Sequence, residues 1–208
     1  MTTAINTTRT ARPLLLAGAS AGVLYTVVGV LQLAFRDGAD PRKQALSVLE
    51  NGPYGWIQML NFFVAGVLLI CGAIGVRSAY TGAWTSRLLA TYGATLVLAG
   101  IFRADPAQGF PPGTPDGPMP ISWHGYAHLA VGTIGFIAFI AACFVVARHQ
   151  SRAGERGQAW FSRITGVVFL FGFVGISSGS AGPTSLLFYL SVTLGWAWIT
   201  LLCRRLAA

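Results

Sequence analysis

The sequence predicts an all-α fold, a polytopic membrane helical bundle of six transmembrane helices, and three observations carry that expectation. Hydrophobic residues make up 54% of the chain and charged residues only 10%, where a soluble domain carries about 25% charged. The apolar residues fall in runs near the ~20 residues that a helix needs to cross a bilayer. The basic residues stand at the edges of those runs and alternate in density from one edge to the next, which is a topology signal. The whole chain, residues 1–208, then reads as a single domain. Its net charge of +8 is split between helix ends and forms no basic stripe with interleaved aromatics, so nucleic acid is excluded as a partner.

Taken in order, the spans run from Leu14 to Phe35, Trp56 to Val76, Leu88 to Phe102, Ile121 to Ala147, Phe161 to Gly179 and Thr184 to Cys203. Ala17-Gly18-Ala19 resembles a signal cleavage site, but the apolar run continues to Phe35, so the first helix reads as an uncleaved anchor. With the N-terminus in the cytoplasm, ten basic residues fall inside: Arg9, Arg12, Arg77, Arg87, Arg148, Arg152, Arg156, Arg163, Arg204 and Arg205. Four fall outside, Arg36, Arg42, Lys43 and Arg103, and the asymmetry predicts N-in, C-in topology. The acids show the opposite bias: Asp37, Asp40, Glu50, Asp105 and Asp116 lie outside and only Glu155 inside. Acids contribute little to topology, so their enrichment calls for another cause. Cys71, Cys143 and Cys203 sit within spans or at their cytoplasmic ends, away from any oxidising loop, so no structural disulfide is expected.

Gly18 with Gly22, and Gly175 with Gly179, form small-xxx-small pairs, read here as internal packing between helix backbones rather than a dimer face. Between the first two spans, Asp40-Pro41 fits an N-cap followed by proline at the first helical position. In the segment after that proline, Ala45, Leu46 and Leu49 share one side, so a short interfacial helix is expected there, closed by the turn in NGPYG. Tyr54, Trp56 and Trp123 are expected at the outer headgroup level, with Trp84 and Trp160 at the inner one.

No acid, lysine or arginine sits near the middle of a span, where ion-coupled transporters carry such charges. Polar side chains gather instead toward the outer ends: Gln32, Gln58, Asn61, Arg103, Asp105, His124, His128, Ser177, Ser178 and Ser180. Several of these are expected to line one outward-facing pocket. The loop from Asp105 to Pro120 holds Pro106, Pro111, Pro112, Pro115, Pro118 and Pro120. Proline fixes its own backbone and removes a donor, so this segment reads as a stiff lid with Phe110 as an apolar plug. Ser122 is a fitting N-cap for the fourth span.

His124 and His128 stand at i and i+4 and so share one helix face. Two histidines at that spacing can ligate one divalent metal ion, with Asp105 brought back as a third ligand or as an orienting carboxylate. Against this, HGYAH lacks the glutamate of the metalloprotease pattern. Alternatively one histidine hydrogen-bonds the proline-rich loop while the other faces water, and Asp105 caps the loop, with Arg103 pairing to Asp105 or reaching for headgroups.

The blocks NGPYGWIQMLNFFVAGVLL and AGIFRADPAQGFPPGTP, continued by SWHGYAHLAVGTIGF, resemble a bacterial six-span membrane family, domain of unknown function 998. The resemblance runs from the first span to GWAWITLL. It implies a six-helix bundle in the bacterial plasma membrane, with the aspartate-proline loop and the histidine-started fourth helix as family features, and it brings no activity.

Three functions then compete. The first is binding of a membrane lipid or small amphiphile by Gln58, Asn61, Arg103, Asp105, Phe110, Trp123, His124 and His128, in a pocket capped by the 105–120 loop. The second is a metal-assisted hydrolase at the outer leaflet, with the ion held by His124, His128 and Asp105. The third is a structural or assembly partner in the membrane.

Overall fold

A computed structural model of the chain describes residues 11–79, 83–179 and 182–208. Arg9 of the inner basic set and Ser180 of the outer polar set lie outside the described residues. The architecture is all-helical: α1 (Ala11–Phe35), α2 (Gly55–Ala79), α3 (Ala83–Ala99), α4 (Trp123–Arg152), α5 (Arg156–Ser177) and α6 (Pro183–Ala207), with a short 3-10 helix at Leu46–Glu50. The described residues form no β-strand. Five of the helices, all but α3, are long and apolar enough to cross a membrane, with mean hydropathy between 1.7 and 2.6.

At 17 residues, α3 is about 25 Å long. The expected third span reached Phe102, yet the helix ends at Ala99, and its start moves forward to Ala83. The early end has a local cause: the carbonyls of Phe102 and Arg103 turn aside to accept from histidines on α4. The other helices overlap the expected spans and run past them by a turn or so at the end away from the long loops, whereas α4 starts at Trp123 instead of Ile121 and α5 ends at Ser177 instead of Gly179.

Each helix packs on the next in the chain, and α6 closes against α1, so the six form a ring in sequence order. Neighbours run antiparallel, as the close pairs show: Gly18 meets Gly72, Gly22 meets Trp196, Gly135 meets Thr95, Gly166 meets Cys143 and Gly172 meets Ser191. A Cβ on Gly18 would lie 2.7 Å from the Cα of Gly72, so the α1–α2 crossing requires glycine there. The Gly18/Gly22 pair therefore serves internal packing, as expected. Gly175 likewise meets Thr184, but a Cβ on Gly179 would meet nothing within 4 Å among the described residues.

One end of the ring, the loop end, carries the two long connections, residues 36–54 and 100–122. At the opposite end α1 begins and α6 finishes. Across the middle of the ring the interior is filled by Phe139, Phe169, Trp196 and Trp198, all essentially buried. Phe139 stacks at 4.6 Å from Phe169 and edge-on at 5.6 Å from Trp198.

The first connection departs from its expected form. No helix starts at Asp40. Its Oδ1 accepts from Arg42 N (2.9 Å) and its carbonyl from Lys43 N and Gln44 N, which closes a single turn. The chain then extends and makes the 3-10 turn at Leu46–Glu50, whose Leu46, Val48, Leu49 and Glu50 are buried. Asp40-Pro41 thus marks a local turn and no more, because the apolar residues beyond it are drawn inward to seal the ring.

Candidate functional site at the loop end

The loop 100–122 folds back over the first connection instead of projecting from the ring. Gln44 Nε2 donates to Gln108 O (2.8 Å), Asn51 Nδ2 to Ala104 O (3.0 Å), and Ala104 N to Glu50 Oε2 (2.8 Å). Phe110 is 1% exposed, with the Arg36 guanidinium 4.9 Å above its ring. That guanidinium also donates to the carbonyls of Leu49 and Asn51, so one arginine fastens the turn, the 3-10 helix and the plug. A third link, Gly182 N to Arg42 O (2.6 Å), ties in the start of α6.

The paired histidines stitch α4 to the end of α3. Backbone carbonyls only accept, so His124 Nδ1–H donates to Arg103 O (2.9 Å) and His128 Nδ1–H to Phe102 O (2.7 Å). Their i, i+4 spacing matches two successive carbonyls on a chain running across the helix. Asp105 clamps the α4 N-terminus: Oδ2 accepts from Ser122 N (2.8 Å) and Oδ1 from Ser122 Oγ (2.6 Å). Ser122 Oγ in turn accepts from Gly125 N (3.1 Å), which makes it the expected N-cap. A Cβ on Gly125 would run into Oδ2 of Asp105, which explains the glycine in HGYAH.

Asp105 Oδ1 lies 3.7 Å from His124 Nδ1, whereas His128 Nδ1 lies 3.5 Å from a different acid, Glu50. Among the described residues, no group of three or more His, Cys, Asp and Glu side chains is placed to hold a metal ion. Trp123 is 74% exposed and stands edge-on to Phe102 and His124, while the Arg103 side chain is exposed.

Gln58 and Asn61 lie deeper, between α1 and α2. Gln58 Oε1 accepts from Gln32 Nε2 (2.7 Å) and Asn61 Nδ2 (3.3 Å), and Asn61 Nδ2 also reaches the Tyr25 carbonyl (3.3 Å). Both residues are buried, and Asn61 Oδ1 has no hydrogen-bond partner among the described residues.

In the sequence Glu50 counts only as one of the acids on the outer side. Its side chain is fully buried, and among the described residues its Oε1 has no partner and no other acid is buried. Burial pushes its carboxyl up to about 8, against the smaller opposing pulls of the Ala104 N–H and of Arg103. The signal for it is faint: Glu50 follows the apolar run Val48-Leu49, where a surface acid is out of place.

Beneath this layer the loop-end half of the ring holds a cavity of about 220 Å³. An engineered cavity of about 150 Å³ takes up benzene, so this one has room for a somewhat larger molecule. Its walls come from all six helices and from Ala45–Ser47. Leu129 and Thr133 of α4 and Ser177 of α5 line it and are also exposed, so it reaches the flank of the ring between those helices. Of the residues expected to bind ligand, His128 alone lines this cavity. The 105–120 loop packs on the 36–52 segment, and that segment, through Ala45, Leu46 and Ser47, is what roofs the space.

A second cavity, about 270 Å³, lies at the opposite end beside Gln150, Ser162, Trp198 and Arg205. Its polar groups satisfy one another: Ser162 Oγ donates to Gln150 Oε1 (2.7 Å), Trp198 Nε1 to Ser162 Oγ (2.9 Å), and Arg205 pairs with Glu155 (2.6 Å). It makes the weaker candidate.

The family model described as a protein of unknown function, DUF998, matches residues 19–205. The chain belongs to the DUF998 family. No curated protein and no solved structure matches it. Membership agrees with the resemblance carried by the loop and fourth-helix blocks, and it assigns DUF998 proteins no reaction or ligand.

Proposed function

We propose that this DUF998 protein is an integral membrane protein that binds a small amphiphile in the loop-end cavity. The cavity carries the reading: an apolar chamber inside a ring of helices, polar at His128 and Tyr25 and open on its flank. A hydrophobic body would occupy the chamber and a hydrogen-bonding end would meet the imidazole and hydroxyl. The side opening suits a ligand that arrives from the surrounding lipid.

The same proposal sets the ring across the bacterial plasma membrane with all six helices spanning, N- and C-termini cytoplasmic and the loop end outward. Five helices of spanning length support this, and α3 sits in the same antiparallel ring between α2 and α4. The ten-to-four arginine and lysine bias supports the orientation. Exposed tryptophans support the depth: Trp56 and Trp123 ring the loop end, Trp84 and Trp160 the other, the latter two under Arg87 and Arg163.

Gly132 offers a direct test, because it lines the cavity and nothing lies within 4 Å of a Cβ placed there. Gly132→Phe should fill the chamber without disturbing the ring. Native mass spectrometry in mild detergent should find a bound small molecule on the wild type and not on the variant. A wild type that carries nothing, or equal retention by both proteins, sinks the proposal.

A further inference from the structure

We infer that the cavity selects organic cations and that Glu50 supplies their counter-charge. This rests on the reading of the cavity as an amphiphile site and specifies the ligand's polar end. No Lys, Arg, Asp or Glu side chain lines the chamber. An anionic headgroup would therefore enter without a partner. The nearest arginines are no help: Arg36 is held by the Leu49 and Asn51 carbonyls, and the Arg103 side chain is exposed.

The walls favour positive charge. Tyr25, Phe62, Tyr92, Phe136, Phe173 and Phe188 all line the cavity, and aromatic faces attract cations most strongly where water is excluded. Behind one wall stands Glu50, whose Oε2 is 3.5 Å from Nδ1 of the cavity-lining His128 and whose Oε1 has no partner among the described residues. Burial disfavours the ionised form of this carboxyl, and a cation one side chain away would stabilise that form as a neutral molecule cannot. Around the carboxyl stand Tyr25 from α1, Arg36 just beyond it, Arg103 and Asp105 from the 100–122 loop, and His128 from α4. None of the three basic groups occupies Oε1.

The test compares phenyltrimethylammonium with tert-butylbenzene, its uncharged isostere of the same shape, by calorimetric titration of the whole protein in mild detergent. It is run at pH 9, where Glu50 is ionised. The wild type should bind the cation about tenfold tighter than the isostere. Glu50→Gln, which keeps an acceptor for Ala104 N, should bring the two affinities within about twofold while leaving the isostere unchanged. Phe136→Leu, which keeps a hydrophobic wall and removes one ring face, should weaken the cation selectively, and it stands as the second variant if Glu50→Gln does not fold. Equal affinities in the wild type, or selectivity that survives both substitutions, overturn the inference and leave the amphiphile reading intact. If neither probe binds while Gly132→Phe still displaces a co-purified molecule, the cation assignment alone is wrong. If that molecule is missing as well, both fall.

Discussion

Two levels of the ring solve the problem of its interior in different ways. Across the middle of the ring, below the chamber, two tryptophans and two phenylalanines fill the space and glycines draw α1 onto α2 and α6, with the second cavity left at the far end. Toward the loop end the helices stand around a chamber, and stability comes from hydrogen bonds at the rim: arginine to carbonyl, histidine to carbonyl, aspartate to helix start. On the proposed reading, the difference separates scaffold from binding site. Packed rings fix the helices across the middle, while a polar rim holds them apart around the chamber.

The largest effect should come from truncating the packed middle. Phe139→Ala removes ring contacts to Tyr92, Phe169 and Trp198 and should cost about 3–5 kcal/mol in a detergent-unfolding titration. Phe173→Ala, beside existing empty space, should cost less than half as much, and equal losses would erase the contrast between the levels. Next in size is the rim. Gly125→Ala drives a methyl into the Asp105 carboxylate, breaks its clamp on Ser122, and should cost about 2 kcal/mol, with faster hydrogen exchange across 105–120. Unchanged exchange would mean that the loop is held from elsewhere.

The smallest effect separates the levels by pH. Glu50 is raised from its ordinary 4.5 to about 8, so the native state holds a proton there that the unfolded chain has lost. The stability contributed by that proton is fully present below about 4.5 and disappears as pH rises through about 8. The thermal midpoint should therefore fall between pH 6 and pH 7, by an amount corresponding to about 1–2 kcal/mol, and Glu50→Gln should flatten the fall. A wild-type profile as flat as the variant's would place Glu50 in water.

Much of the scaffold was legible from the sequence because hydropathy over twenty residues and small-residue spacing are local signals. The apolar cores of the six helices, the Ser122 cap, the buried Phe110 and the packing role of Gly18 and Gly22 all came from such signals. The rim was half legible. Proline spacing announced a stiff loop, but His124 and His128 read either as metal ligands or as one donor beside one ring in water, because the Phe102 and Arg103 carbonyls they meet leave no trace in residue identity. The 3-10 turn at Leu46–Glu50 defeated the helix reading since the ring needed its apolar residues inside. Glu50 stayed hidden for the same reason: its burial depends on the 100–122 loop folding over it from half a hundred residues away.

That α6 seals against α1 has a consequence for biogenesis. The wall between them cannot exist until the sixth helix has left the ribosome, so the Gly22 side of α1 stays uncovered while the four intervening helices are made. Up to that moment the chamber is a trough, and any occupant can slip in or out along its missing side.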